Sequence, residues 1–194
     1  MFVNNTAGQP TRIEGIYMCQ AKSVFDVSIQ DAERILEAYE HMKNIPELGR
    51  DPEELKRAAL IMTLTAWETY VEDKISEEVE RQTKVLQGCQ IGNFINKTLE
   101  NDLKYFHTPN SKKTKDIFER FLGVDVTEYW SWPGYENKER TRAKLNDWIK
   151  KRGDAVHRSV TDKQTSHLIS KPEAEKCIRF FKGLVEVTDK ALSV

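Results

Sequence analysis

Two residues near the end of one basic stretch have the types needed to cut a phosphodiester: Arg152 and His157, in Arg152-Gly153-Asp154-Ala155-Val156-His157. Histidine titrates near neutral pH, so it can take a proton from a hydroxyl or give one to a leaving oxygen. Arginine keeps its charge, and its N–H donors can hold a phosphate and stabilise the added charge of a pentacovalent transition state. Together they suit RNA cleavage without a metal or any other cofactor. Attack by the 2′-hydroxyl would leave a 2′,3′-cyclic phosphate and a 5′-hydroxyl end. DNA lacks that hydroxyl and would not serve. The chain carries no Gly-rich phosphate loop, no GxSxG and no DxD-type cluster to point elsewhere.

The pattern around the pair predicts one basic helix over residues 137–158. Leu145, Trp148, Ile149 and Val156 recur at helical spacing as an apolar stripe, and Arg152 falls in its middle. A guanidinium cannot shed its charge, so a covered Arg152 needs an acidic or anionic partner. His157 lies roughly 140° further round the helix, with Gly153 between them to loosen the turn. The candidate partner is Glu68, an acid at the margin of an otherwise apolar helix in Ala66-Trp67-Glu68-Thr69-Tyr70-Val71-Glu72. Asp154 and Glu68 are the expected positioning residues. Lys150, Lys151 and Arg158 read as contacts to an RNA backbone. The other histidines, His41, His107 and His167, read as ordinary surface or capping residues.

The elements that must position these groups are helical. Of 194 residues 39% are hydrophobic and 31% charged, with few glycines and prolines, which suits one all-α domain with long solvated faces. No apolar run reaches membrane-spanning length, and residues 1–20 lack a secretory pattern, so no membrane association is expected. Cys19, Cys89 and Cys177 are scattered, which predicts reduced thiols in a cytoplasmic protein and no zinc site. A net charge of −1 hides an asymmetry: residues 26–80 hold fifteen acids and six bases, whereas residues 138–158 hold eight bases and three acids. Either the basic part meets an anionic partner, or acidic and basic helices pack together.

In chain order, residues 1–25 read as a leader and 26–194 as the helical domain. A first helix is expected over 28–43. Asp51 and Pro52 would open a second that runs to about Thr83, apolar nearly all round between 58 and 71 and therefore central. A third lies within 93–107. A short fourth covers 116–122, entered through Lys112, Lys113 and Lys115. Residues 124–135 form an aromatic loop whose tryptophans lid the core rather than stack bases. Ser170, Pro172 and Glu173 open a last helix to about Leu192.

Arg152-xxxx-His157 at the end of one helix, following a central Trp67-Glu68-x-Tyr70-Val71-Glu72 helix, resembles the HEPN superfamily. The closest likeness is to its RiboL-PSP-type ribonuclease branch, associated with prokaryotic toxins and antiviral defence. The resemblance implies a helical bundle that dimerises, so that two RxxxxH motifs meet across a two-fold axis as a composite, metal-independent RNA-cleaving site. It makes Arg152 and His157 catalytic, and it implies an antitoxin or defence-system partner. An isologous dimer would also bring together groups that point apart within one chain. Here Gly153 and then Asp154 follow the arginine, and Arg158-Ser159 follow the histidine, so the HxY tail of some HEPN toxins is missing. The rival readings are a HEPN-like module that binds RNA or a nucleotide without cleaving it, and a protein-interaction bundle.

Overall fold

Helix α2 (Glu54–Thr83) organises the bundle because its middle offers no polar face. Ala59, Leu60, Thr63, Leu64, Ala66, Trp67, Tyr70 and Val71 are all buried, and a helix apolar all round must be covered on several sides. In the computed structural model, which describes residues 20–157 and 169–192, α2 packs against all five other helices. These are α1 (Gln20–Met42), α3 (Gln90–Leu103), α4 (Ser111–Leu122), α5 (Lys138–His157) and α6 (Lys171–Leu192). The fold is all-α. Among the described residues the only extended pairing is one antiparallel bridge between Trp132 and Tyr135. No described helix is long and apolar enough to cross a membrane.

The core is an aromatic cluster where α2 meets α6. The Trp67 ring lies 6.2 Å from Trp130 and 5.8 Å from Phe181, centroid to centroid. Trp130 is wholly buried, and its indole N–H donates to the Thr188 hydroxyl at 3.0 Å. Trp132 lies so close over α6 that a Cβ on Gly183 would sit 2.6 Å from the indole nitrogen, so only glycine fits beneath it. The aromatic loop lids the core, as its composition suggests.

Several boundaries differ from the sequence expectation, each for a physical reason. Helix α1 is already formed at Gln20, ahead of Ser28, and buries Ala21 and Phe25 on the stripe continued by Ile29, Ala32 and Leu36. Its first described turn is tied to α2: the Glu77 carboxylate accepts from the amides of Gln20 (3.4 Å) and Ala21 (3.1 Å). Helix α2 starts at Glu54, and Glu53, the residue before it, makes no side-chain cap. Helix α3 starts at Gln90, where the Cys89 sulfur caps it by accepting from the Gly92 amide at 3.4 Å, and a Cβ on Gly92 would lie 2.2 Å from the Leu86 carbonyl oxygen. Helix α4 is longer than expected. Asn110 caps it by accepting from the Lys113 amide at 2.8 Å, which puts Lys112, Lys113 and Lys115 inside the helix. Gly123, at φ 70°, ends it. Helix α5 turns Ala155 inward, leaving Val156 51% exposed, so the apolar stripe stops before Val156.

Candidate functional site

The site is assembled by three segments that converge on Glu68. On α2, Trp67, Tyr70 and Val71 are buried, which leaves Glu68 and Glu72, one turn apart, along the flank of the helix. The Glu72 carboxyl is pushed above its ordinary value, first by burial and then by the negative charges of Glu68 and Asp73; His107 acts in the opposite sense. An acidic ridge that is partly dry holds its charge reluctantly unless cations approach.

The first cation is Arg152 of α5. Its Nη1 stands 3.5 Å from Oε2 of Glu68, with the two side chains 23% and 17% exposed. This pairing is too long for a charge-assisted hydrogen bond, which closes to about 2.7–2.9 Å. The Arg152 Nε is buried and has no hydrogen-bond partner. The guanidinium is therefore held to Glu68 by charge, with its Nε turned into the protein.

The second segment is the loop 104–110 between α3 and α4, which is clamped onto α2 at neighbouring residues. The indole N–H of Trp67 donates to the Pro109 carbonyl at 3.0 Å, and the Thr108 amide donates to Glu68 Oε1 at 3.0 Å. The Lys113 ammonium donates to the His107 carbonyl at 2.5 Å, and the Ser111 amide donates to the Asn146 side chain of α5 at 3.0 Å. Thr108 sits at φ 52°, a left-handed conformation that a β-branched residue avoids unless its surroundings impose it. The result places His107 Nδ1 3.8 Å from Glu68 Oε1, on a side chain that is 74% exposed. His107 is thus an exposed histidine within reach of Glu68. No local signal marks it, since the residues that fix it lie about forty positions earlier in the chain.

The remaining candidates are distributed along α5. His157 is the last described residue of α5. Asp154 is half-buried two residues beyond Arg152, on another face. Lys150 is exposed, and Lys151 turns to α6, where its ammonium meets Glu173 at 2.8 Å. That contact, with the Ser170 amide, holds the Glu173 carboxyl down at about 2, and Ser170 and Glu173 form the capping pair at the start of α6. Lys144 and Lys151 flank the Trp148 ring at 4.5 and 5.2 Å. Lys138 and Arg142 are both engaged by Glu128. Part of the basic helix therefore packs against acids of the same chain. Arg158 and His167 lie outside the described residues.

The described residues thus form an all-α bundle whose central helix presents a carboxylate to an arginine of the basic helix α5. The RiboL-PSP-HEPN family model matches residues 28–194, and the chain belongs to that family. No curated protein and no solved structure matches it.

Proposed function

We propose that the protein is a metal-independent endoribonuclease that works as a homodimer in toxin or antiviral-defence biology, in the cytoplasm. The observation that carries this reading is the Arg152–Glu68 arrangement: a guanidinium mostly covered, held at 3.5 Å by one carboxylate, with its Nε unpaired. A purely structural ion pair in so covered a place would close its hydrogen bonds.

In this mechanism Arg152 binds the scissile phosphate and stabilises the charge that develops on its oxygens. Glu68 limits the directions in which the guanidinium can swing, and Asp154 orients the end of α5. His157 moves the proton of the attacking 2′-hydroxyl or of the leaving 5′-oxygen. Two copies of α5 meeting at a two-fold axis would bring both motifs to one RNA strand. Lys150 and Arg158 contact flanking phosphates, while Lys151 contributes mainly through its field because Glu173 holds it. An antitoxin or defence-system protein keeps the activity in check.

The test is cleavage of one sequence, supplied as RNA and as DNA, by the wild-type protein in EDTA. Cut RNA with cyclic-phosphate ends and intact DNA is the expected result. Salt-dependent RNA binding with no cleavage would replace this reading with a binding module. Absence of any RNA affinity would leave an interaction bundle.

A further inference from the structure

The site contains a second histidine that the RxxxxH motif does not supply. Glu68 uses both carboxylate oxygens. Oε2 faces Arg152 at 3.5 Å, whereas Oε1 accepts from the Thr108 amide at 3.0 Å and faces His107 Nδ1 at 3.8 Å. An arginine and a histidine of one protomer therefore flank a single carboxylate. Nδ1 is the ring nitrogen turned to the acid, so Nε2 is the one presented outward on a side chain that is 74% exposed. A carboxylate beside Nδ1 can fix the orientation of the ring, leaving Nε2 to exchange a proton with a substrate.

The backbone that carries His107 is fixed to an unusual degree for a loop. Its carbonyl is held by Lys113, the next amide by Glu68, and the Pro109 carbonyl by Trp67. The left-handed Thr108, at φ 52°, is the conformational cost of that placement. Such strain persists only where the surroundings over-determine it, and it concentrates at functional sites. The charged groups around the imidazole are Glu68 and Glu72 from α2, Lys113 from α4 and, across Glu68, Arg152 from α5.

We propose that His107 is a catalytic residue of the RNA site, the general acid that protonates the leaving 5′-oxygen from Nε2. The inference rests on the ribonuclease reading above and assigns the other proton transfer to His157. As the 2′-oxygen bonds to phosphorus, its proton passes to His157. The electron pair of the breaking P–O5′ bond goes to the 5′-oxygen, which takes the Nε2 proton of the His107 imidazolium. Exchange with water restores both rings. The Arg152 guanidinium lies on the far oxygen of the same carboxylate, where it can hold the phosphate between the two events.

The experiment compares an ordinary RNA with one carrying sulfur in place of the 5′-bridging oxygen at the cleavage position. A thiolate leaves without being protonated, so it removes the need for an acid. His107→Ala should slow cleavage of the oxygen substrate by roughly 10²–10⁴-fold and cleave the sulfur substrate at the wild-type rate. His157→Ala should be slow on both. If His107→Ala matches the wild type on both substrates, or is equally slow on both, His107 is not the acid and the proposal is overturned with the ribonuclease reading intact. If the wild type cuts neither substrate, the ribonuclease reading fails and the assignment of an acid falls with it.

Discussion

Helix α2 carries two charged clusters within two turns, and they are built differently. At Lys74 the ammonium is 3% exposed and sits 2.9 Å from Glu78 and 3.0 Å from Asp189 of α6. At Glu68 the ion pair with Arg152 spans 3.5 Å, and the nearby backbone passes through a left-handed threonine. The first cluster is short, covered and joins two helices of the core. The second is looser and partly open. Tight pairing fixes a fold, whereas loose pairing beside strain leaves chemistry available.

If that contrast is right, Lys74→Met should be the most damaging change to the fold. It removes the cation that Glu78 and Asp189 share in a covered place, while Glu78 keeps Arg81 at 2.6 Å, so the cost should be about 3 kcal/mol, read as a lower midpoint in urea unfolding. A loss under about 1 kcal/mol would mean the cluster is not the tie it looks to be.

Thr108→Gly sharpens the other side. Relief of the φ 52° strain, set against glycine's extra chain entropy, should raise stability by about 0.5–1 kcal/mol in the same assay. A destabilised variant would show that the threonine side chain, not strain, decides that position.

A smaller effect is expected at Glu173, a third ion pair. Its carboxyl titrates at about 2 in the fold against an ordinary value of 4.5, so its stabilising contribution is present above 4.5 and fades as the pH falls towards 2. Thermal unfolding of Glu173→Gln should fall below the wild type at neutral pH, and the two curves should converge over that acid window. The smallest effect has the reverse sign. The Glu72 carboxyl is pushed up by burial and by Glu68 and Asp73, so its ionisation works against the fold. Glu72→Gln should raise the melting temperature at pH 7 and lose that advantage at acid pH, where the wild-type carboxyl is protonated.

The apolar run of α2 predicts a central helix because there is no way to solvate it, and a charge in the apolar stripe of α5 predicts an acidic partner for Arg152. Both are physical misfits visible along the chain. The contact with Glu68 follows from the second; the chemistry does not. Distant ties are illegible in the same way. The Gln20–Ala21 turn of α1 is held by Glu77, more than fifty residues away. His107 joins the site only because Trp67 and Glu68 grip the residues after it. For α1 and for His107 the deciding partner is remote, and no local pattern carries it.

The most direct test of the central claim is cleavage of a mixed RNA pool in EDTA by the wild type, Arg152→Ala and His157→Ala. Helicity and dimer mass are measured alongside. The account predicts that wild type cuts to 2′,3′-cyclic phosphates and that both folded variants lose on the order of 10²–10³-fold or more in rate. Equal cleavage by all three, each folded and dimeric, would contradict it and return Arg152 and Glu68 to a structural role.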